Sequence, residues 1–110
     1  MYAILENNLP QIEQACRAAN VRRLFVFGSI LTDRFNPDKS DVDIQVVFDH
    51  RGDNATIGAI MWKFWDELEA ILGRKVDLLT KPEIRNPFFR QEVEHTRQLI
   101  YEHQSEEIPV

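Results

Sequence analysis

A strand, a small-residue turn and a second strand occupy Leu24 to Phe48. This stretch restricts the fold more than any other part of the chain. Residues 23–27 (RLFVF) form an apolar run of the length of a short buried strand. Gly28-Ser29 breaks that run, and Ile30-Leu31-Thr32 can open a short helix. Asn36-Pro37-Asp38-Lys39-Ser40 is loop chemistry, because Pro37 drives the residue before it into an extended conformation. Residues 41–48 (DVDIQVVF) are rich in β-branched side chains and predict a strand. Side chains alternate along a strand, so Asp41, Asp43 and Gln45 share one face. Val42, Ile44 and Val46 share the other, which can pack on helices.

The rest of the chain supplies those helices. Leu5, Leu9, Ile12, Cys16 and Ala19 recur with helical spacing over residues 5–19, with Asn7 or Asn8 as cap and Pro10 in the first turn. Cys16 lies on that stripe and reads as core. Residues 57–72 carry the strongest helical pattern: Ile57, Ile60, Met61, Phe64, Trp65, Leu68, Ile71 and Leu72 fall on one stripe, and Gly73 follows as a stop. Trp62 lies about 140° from Ile57 around such a helix, off the centre of the stripe; it is assigned to the edge of the core, with contact to a partner or a base as the alternative. Residues 75–80 (KVDLLT) predict a third strand, with Val76 and Leu78 on one face and Asp77 and Leu79 on the other. A final helix is expected from Glu83 to His103, interrupted at Asn86-Pro87, with a frayed tail.

The order is helix, strand, turn, strand, helix, strand, helix. A helical crossover makes the second and third strands parallel. The expected fold is therefore α/β (α+β), a small mixed sheet with flanking helices on one side. At 110 residues the chain reads as one domain spanning residues 1–110. A net charge of −5 argues against non-specific nucleic-acid binding, which runs on clustered Lys and Arg. One cysteine excludes a disulfide framework and a zinc cluster. No apolar run is long enough to span a membrane and no signal peptide is legible, so a soluble cytoplasmic protein is expected.

The carboxylates carry the chemistry. Asp41 and Asp43 share a strand face, and Asp77 sits in a strand that can lie alongside. Two such charges about 4 Å apart repel by about 4 kcal/mol at an effective dielectric near 20. Divalent cations relieve this, and hard oxygen ligands select Mg2+ or Mn2+. Two metals about 3.5–4 Å apart would stabilise the attacking and leaving oxygens of an in-line phosphoryl displacement. Gly28 lets the backbone approach a phosphate with no Cβ in the way, and Ser29 adds a hydroxyl. The expected ligand is a metal-bound nucleoside triphosphate.

Gly28-Ser29, Asp41-Val42-Asp43 and Asp77 in KVDLL together resemble the signature of the minimal nucleotidyltransferases of the DNA-polymerase-β superfamily. The resemblance runs over nearly the whole chain, to Asn86–Glu102. It implies the polymerase-β-like fold, with Asp41 and Asp43 binding metal and triphosphate. It also implies that Asp77 completes the metal site and helps deprotonate the attacking hydroxyl. The implied cofactor is Mg2+, as two ions, with Mn2+ as its substitute. The reaction would transfer a nucleoside monophosphate, AMP from ATP, with release of pyrophosphate. Two departures stand out. The loop Ile30–Ser40 is one residue longer than the family's usual spacing, and the arginine and later glycine of the common GSRARG run are absent. Arg34 or Lys39 are candidate substitutes.

Short members of this kind are similar to the antitoxin half of toxin–antitoxin modules, paired with a HEPN-type ribonuclease. The resemblance implies either masking of that partner or transfer of AMP to one of its tyrosines. Phe88 and Phe89 fit a partner surface and fit a core equally. A homo- or hetero-oligomer is consistent with these readings. The alternative is a non-catalytic subunit that binds nucleotide or toxin. Arg90 and His95 also match an Arg-x4-His nuclease spacing, but on one helix they diverge by about 140°, and the β-rich centre does not suit an all-helical nuclease.

Overall fold

The computed structural model describes residues 3–31, 41–49, 54–80 and 86–103. In chain order the elements are α1 (Ala3–Glu6), α2 (Leu9–Ala18), β1 (Val21–Phe27), a 3-10 turn (Gly28–Leu31) and β2 (Val42–Phe48). Then follow α3 (Asn54–Leu72), β3 (Val76–Thr80), α4 (Pro87–Thr96) and β4 (Gln98–Glu102). The four strands form one sheet in the order β3-β2-β1-β4. β2 and β3 run parallel, as the α3 crossover demands, while β1 pairs antiparallel with β2 and β4.

The main core lies between one sheet face and the helices α2 and α3. Leu24 and Val26 of β1, Ile44 and Val46 of β2, and Val76 and Leu78 of β3 point into it. Ile12 and Cys16 meet them from α2, and Phe64 and Leu68 from α3. Each such side chain contributes about 1.5–3 kcal/mol by leaving water. Phe64 meets Phe48 edge-on, centroids 5.9 Å apart. Gly73, at φ +64°, stops α3 in the left-handed region where glycine carries no Cβ penalty.

Four expectations are corrected. The first helix is split: Asn8 is the N-cap of α2 and Pro10 stands in its first turn as expected, but Leu5 belongs to the separate α1, and Asn8 Nδ2 donates to Ile4 O at 2.7 Å. Trp62 is no part of the core edge, being 67% exposed and stacked on Trp65. The last helix ends at Thr96, not His103. Arg97 adopts an extended conformation, and Gln98–Glu102 becomes β4 because β1 offers a free edge on the side away from β2. Finally, the helices do not all lie on one side. α4 packs on the opposite face, where Val93 joins Phe27 with Leu79 beside them. Asn86 caps α4, its Oδ1 accepting from Phe88 N at 2.9 Å and Phe89 N at 3.3 Å.

Arg34, Lys39, His50 and the tail after His103 lie outside the described residues.

Candidate active site

The face of the sheet under α4 carries the carboxylates. The parallel register sets Asp43 of β2 opposite Asp77 of β3, and strand alternation turns both toward α4. A side-chain hydrogen bond joins them. Burial, followed by the charge and hydrogen bond of Asp77 and then the charge of Asp41, pushes the Asp43 carboxyl up to about 6. Two carboxylates this close repel when both are ionised, and no cationic group is among the causes that move Asp43.

Gly28 closes the floor. Its φ of +77° lies in the left-handed region. A Cβ there would collide with Asp43 Oδ2 and stand 3.2 Å from Cγ. The turn therefore needs glycine twice over, for its backbone and for the space above it. The Ser29 backbone lies in the same 3-10 turn, and its side chain is not described.

A cleft of about 390 Å³ opens over these groups, within the range of small-molecule sites. Gly28, Asp43 and Asp77 line its floor. Phe89, Glu92, Val93 and Thr96 form one wall, at the i, i+3, i+4, i+7 positions of α4. Phe89 meets Phe27 edge-on, centroids 6.1 Å apart. Trp65 and Leu78 border it at the edge of β3.

Of the residues singled out in the sequence, Gly28, Asp43 and Asp77 come together here. Asp41 acts on Asp43 through its charge but does not line the cleft. Among the described residues no group of three or more His, Cys, Asp or Glu side chains stands close enough to hold a metal ion. The Asp43–Asp77 pair by itself offers only carboxylate oxygen, the donor that suits a hard cation such as Mg2+.

Sequence reasoning missed three features. Gln45, two residues along β2 from Asp43, is 1% exposed. Its Oε1 accepts from Arg97 Nη1 at 2.8 Å, and the Arg97 guanidinium lies 4.0 Å from the centre of the Phe25 ring. Glu92 borders the cleft, and Trp65 does so while counting as a core position in the α3 pattern. The W-x-x-W spacing of Trp62 and Trp65 is the one local signal that bears on the last. Arg90 and His95 both fall on α4, and His95 is exposed, its Nδ1 3.1 Å from Gln91 O.

The profile of the nucleotidyltransferase domain family matches residues 9–100. Two proteins of Methanocaldococcus jannaschii, provisionally named protein adenylyltransferases, are 37% and 35% identical over 81 residues. Each match covers 74% of this chain and 76% of the relative. A solved toxin–antitoxin structure with AMP-PNP superposes with a TM-score of 0.64 at 22% identity, covering 88% of this chain and 75% of that one. A tri-AMPylated HEPN toxin in complex with its MNT antitoxin, from Shewanella oneidensis, gives 0.59 at 21% identity, covering 90% and 73%. At these identities the structures establish a shared fold. Among the described residues no helix is long and apolar enough to cross a membrane.

Proposed function

The chain belongs to the nucleotidyltransferase domain family, and on that premise we propose that it transfers AMP from ATP to a hydroxyl of a partner protein, a tyrosine of a HEPN-type toxin, and so acts as an antitoxin in the cytoplasm. The observation that carries this reading is the Asp43–Asp77 pair on the floor of a cleft beside Gly28. The name of the curated relatives and the AMPylated toxin of the structural neighbour support the adenylyl group and the protein acceptor.

One domain carries the chemistry. Gly28 and Ser29 cradle the triphosphate, the glycine by leaving room for phosphate oxygens against the backbone. Asp43 and Asp77 would hold Mg2+, with Asp41 adding its charge beside them; the ion when bound would neutralise phosphate charge and the repulsion between the carboxylates. Asp77 takes the proton of the acceptor hydroxyl. The hydroxyl oxygen bonds to the α-phosphorus, the bond from that phosphorus to the bridging oxygen breaks, and pyrophosphate leaves. The carboxylates orient and deprotonate, contributions typical of general base catalysis. α4 shields the cleft from water on one side.

The test is transfer of radiolabel from α-labelled ATP with Mg2+ to the product of the neighbouring gene. Labelled partner, and no label with Asp41→Asn/Asp43→Asn, is the expected result. Neutralisation of the partner by that unlabelling variant would replace this reading with a binding subunit.

A further inference from the structure

The cleft has a direction set by the strand order. Gly28 follows β1, Asp43 stands on β2, Asp77 on β3, and Trp65 closes the series at the outer edge of β3. Hydrogen bonds establish that edge position. Val42 N–H donates to Lys75 O at 3.1 Å, so Lys75 and Asp77 turn their backbone groups to β2 and Val76 turns its own outward. Side chains of α3 meet both outward groups: Trp65 Nε1 donates to Val76 O at 2.7 Å, and Glu69 Oε2 accepts from Val76 N at 2.9 Å. The Trp65 indole is thereby held against the sheet edge with part of its surface in the cleft.

Trp62 backs this wall. Its ring lies parallel to that of Trp65, centroids 5.5 Å apart and planes inclined by 14°, with 67% of the residue exposed. An exposed tryptophan adds little to folding. Stacked on Trp65, it covers one face of that indole and leaves the part of Trp65 that borders the cleft open.

In-line displacement puts the attacking oxygen and the departing pyrophosphate on opposite sides of the phosphorus. With the pyrophosphate at the Gly28 end, the attacking hydroxyl enters from the β3 end, past Asp77. We propose that Trp65, backed by Trp62, is the acceptor subsite, where it holds a planar aromatic ring that carries the attacking hydroxyl, a phenol of the tyrosine type; this rests on the transfer reading above. Stacking on an indole favours such a ring by its face, whereas an aliphatic hydroxyl gains nothing from the same surface. Trp62 and Trp65 are then specificity-determining residues and not proton donors or acceptors.

The experiment compares N-acetyl-tyrosinamide with N-acetyl-serinamide as acceptors, using Mg-ATP and following pyrophosphate release. The variants are Trp62→Ala, Trp62→Phe and Trp65→Phe. Trp62→Ala removes an exposed ring, and Trp65→Phe also loses the bond to Val76, so its melting temperature is followed in parallel. Trp62→Ala and Trp65→Phe are expected to raise KM for the tyrosyl acceptor about three- to tenfold, with KM for Mg-ATP unchanged. Preference for the tyrosyl over the seryl acceptor narrows accordingly, and Trp62→Phe recovers most of it. A tryptophan of purely structural value would not split the two KM values. A raised KM for Mg-ATP with an unchanged acceptor KM overturns the proposal by making Trp65 a nucleobase wall. Calorimetry separates the two levels: no Mg-ATP binding by the unaltered protein removes the transfer reading and this subsite with it. Mg-ATP binding with an acceptor KM insensitive to all three variants removes the subsite alone.

Discussion

Asp43 and Asp77 stand opposite each other in parallel register on β2 and β3, and one side-chain hydrogen bond joins them. No cationic group is among the causes that move Asp43, which burial and Asp77 push upward together. The pair is thus a site of stored repulsion above the pH at which Asp43 loses its proton.

That repulsion makes stability pH-dependent. The Asp43 carboxyl moves from 3.8 to about 6 on folding, so the folded protein holds the proton more tightly than the unfolded chain. Its favourable contribution is complete below pH 3.8 and is lost as pH rises through about 6. Allowing for solvent screening at a half-buried group, the loss is about 1–2 kcal/mol. Thermal unfolding at pH 5 and pH 7.5 checks this, with Mg2+ expected to raise the melting temperature only at the higher pH. Equal Mg2+ effects at both would place the cation elsewhere.

Replacing one partner removes the repulsion along with the proposed metal ligand. Asp43→Asn is expected to unfold no more easily than the parent at pH 7.5 without Mg2+, while nucleotidyl transfer falls by roughly two orders of magnitude or more. Asp77→Asn should match it in transfer. Retention of activity in either variant, measured as labelled product, would take that carboxylate out of the reaction.

Gly28→Ala attacks the floor of the cleft by another route. The φ of +77° and the collision with Asp43 Oδ2 act together, and the expected cost is about 1–3 kcal/mol. Denaturant unfolding measures it. Because the Asp43 side chain must shift to make room, transfer should drop even at temperatures where the variant is fully folded.

Arg97→Ala leaves the Gln45 oxygen, in a residue 1% exposed, without the guanidinium that donates to it. An unsatisfied buried acceptor costs about 1–3 kcal/mol. Arg97→Lys should recover little, since an ammonium lacks the planar group that lies over Phe25. Urea midpoints of the two variants decide the matter, and a full recovery by lysine would reduce the contact to simple charge.

Local patterns made much of this legible. The alternation in residues 41–48 identified which side chains of β2 share the carboxylate face, and the α3 stripe predicted its core contacts at Phe64, Leu68 and Leu72. The crossover through α3 predicted the parallel pairing that brings Asp77 beside Asp43. β4 was not legible in the same way. Gln98–Glu102 follows a helix directly and its apolar residues also fit helical spacing; what makes it a strand is hydrogen bonding to β1, as in the pairing of Leu24 with Tyr101. Trp65 was placed correctly on α3, yet its access to the cleft depends on β3 being an edge strand.

The order of the elements from α2 to α4, the glycine turn after β1 and the carboxylates carried by one face of the sheet follow from the sequence alone, because each depends on neighbours a few residues apart. The tertiary structure decided which of those carboxylates meet. Register puts Asp43 against Asp77 and leaves Asp41 outside the cleft lining. It also decided that α4 covers the carboxylate face, that Arg97 seals Gln45 from 52 residues away, and that Trp62 stands in solvent on Trp65. Those outcomes depend on which strand edge stays open and which face a distant helix covers, and no local periodicity carries that information.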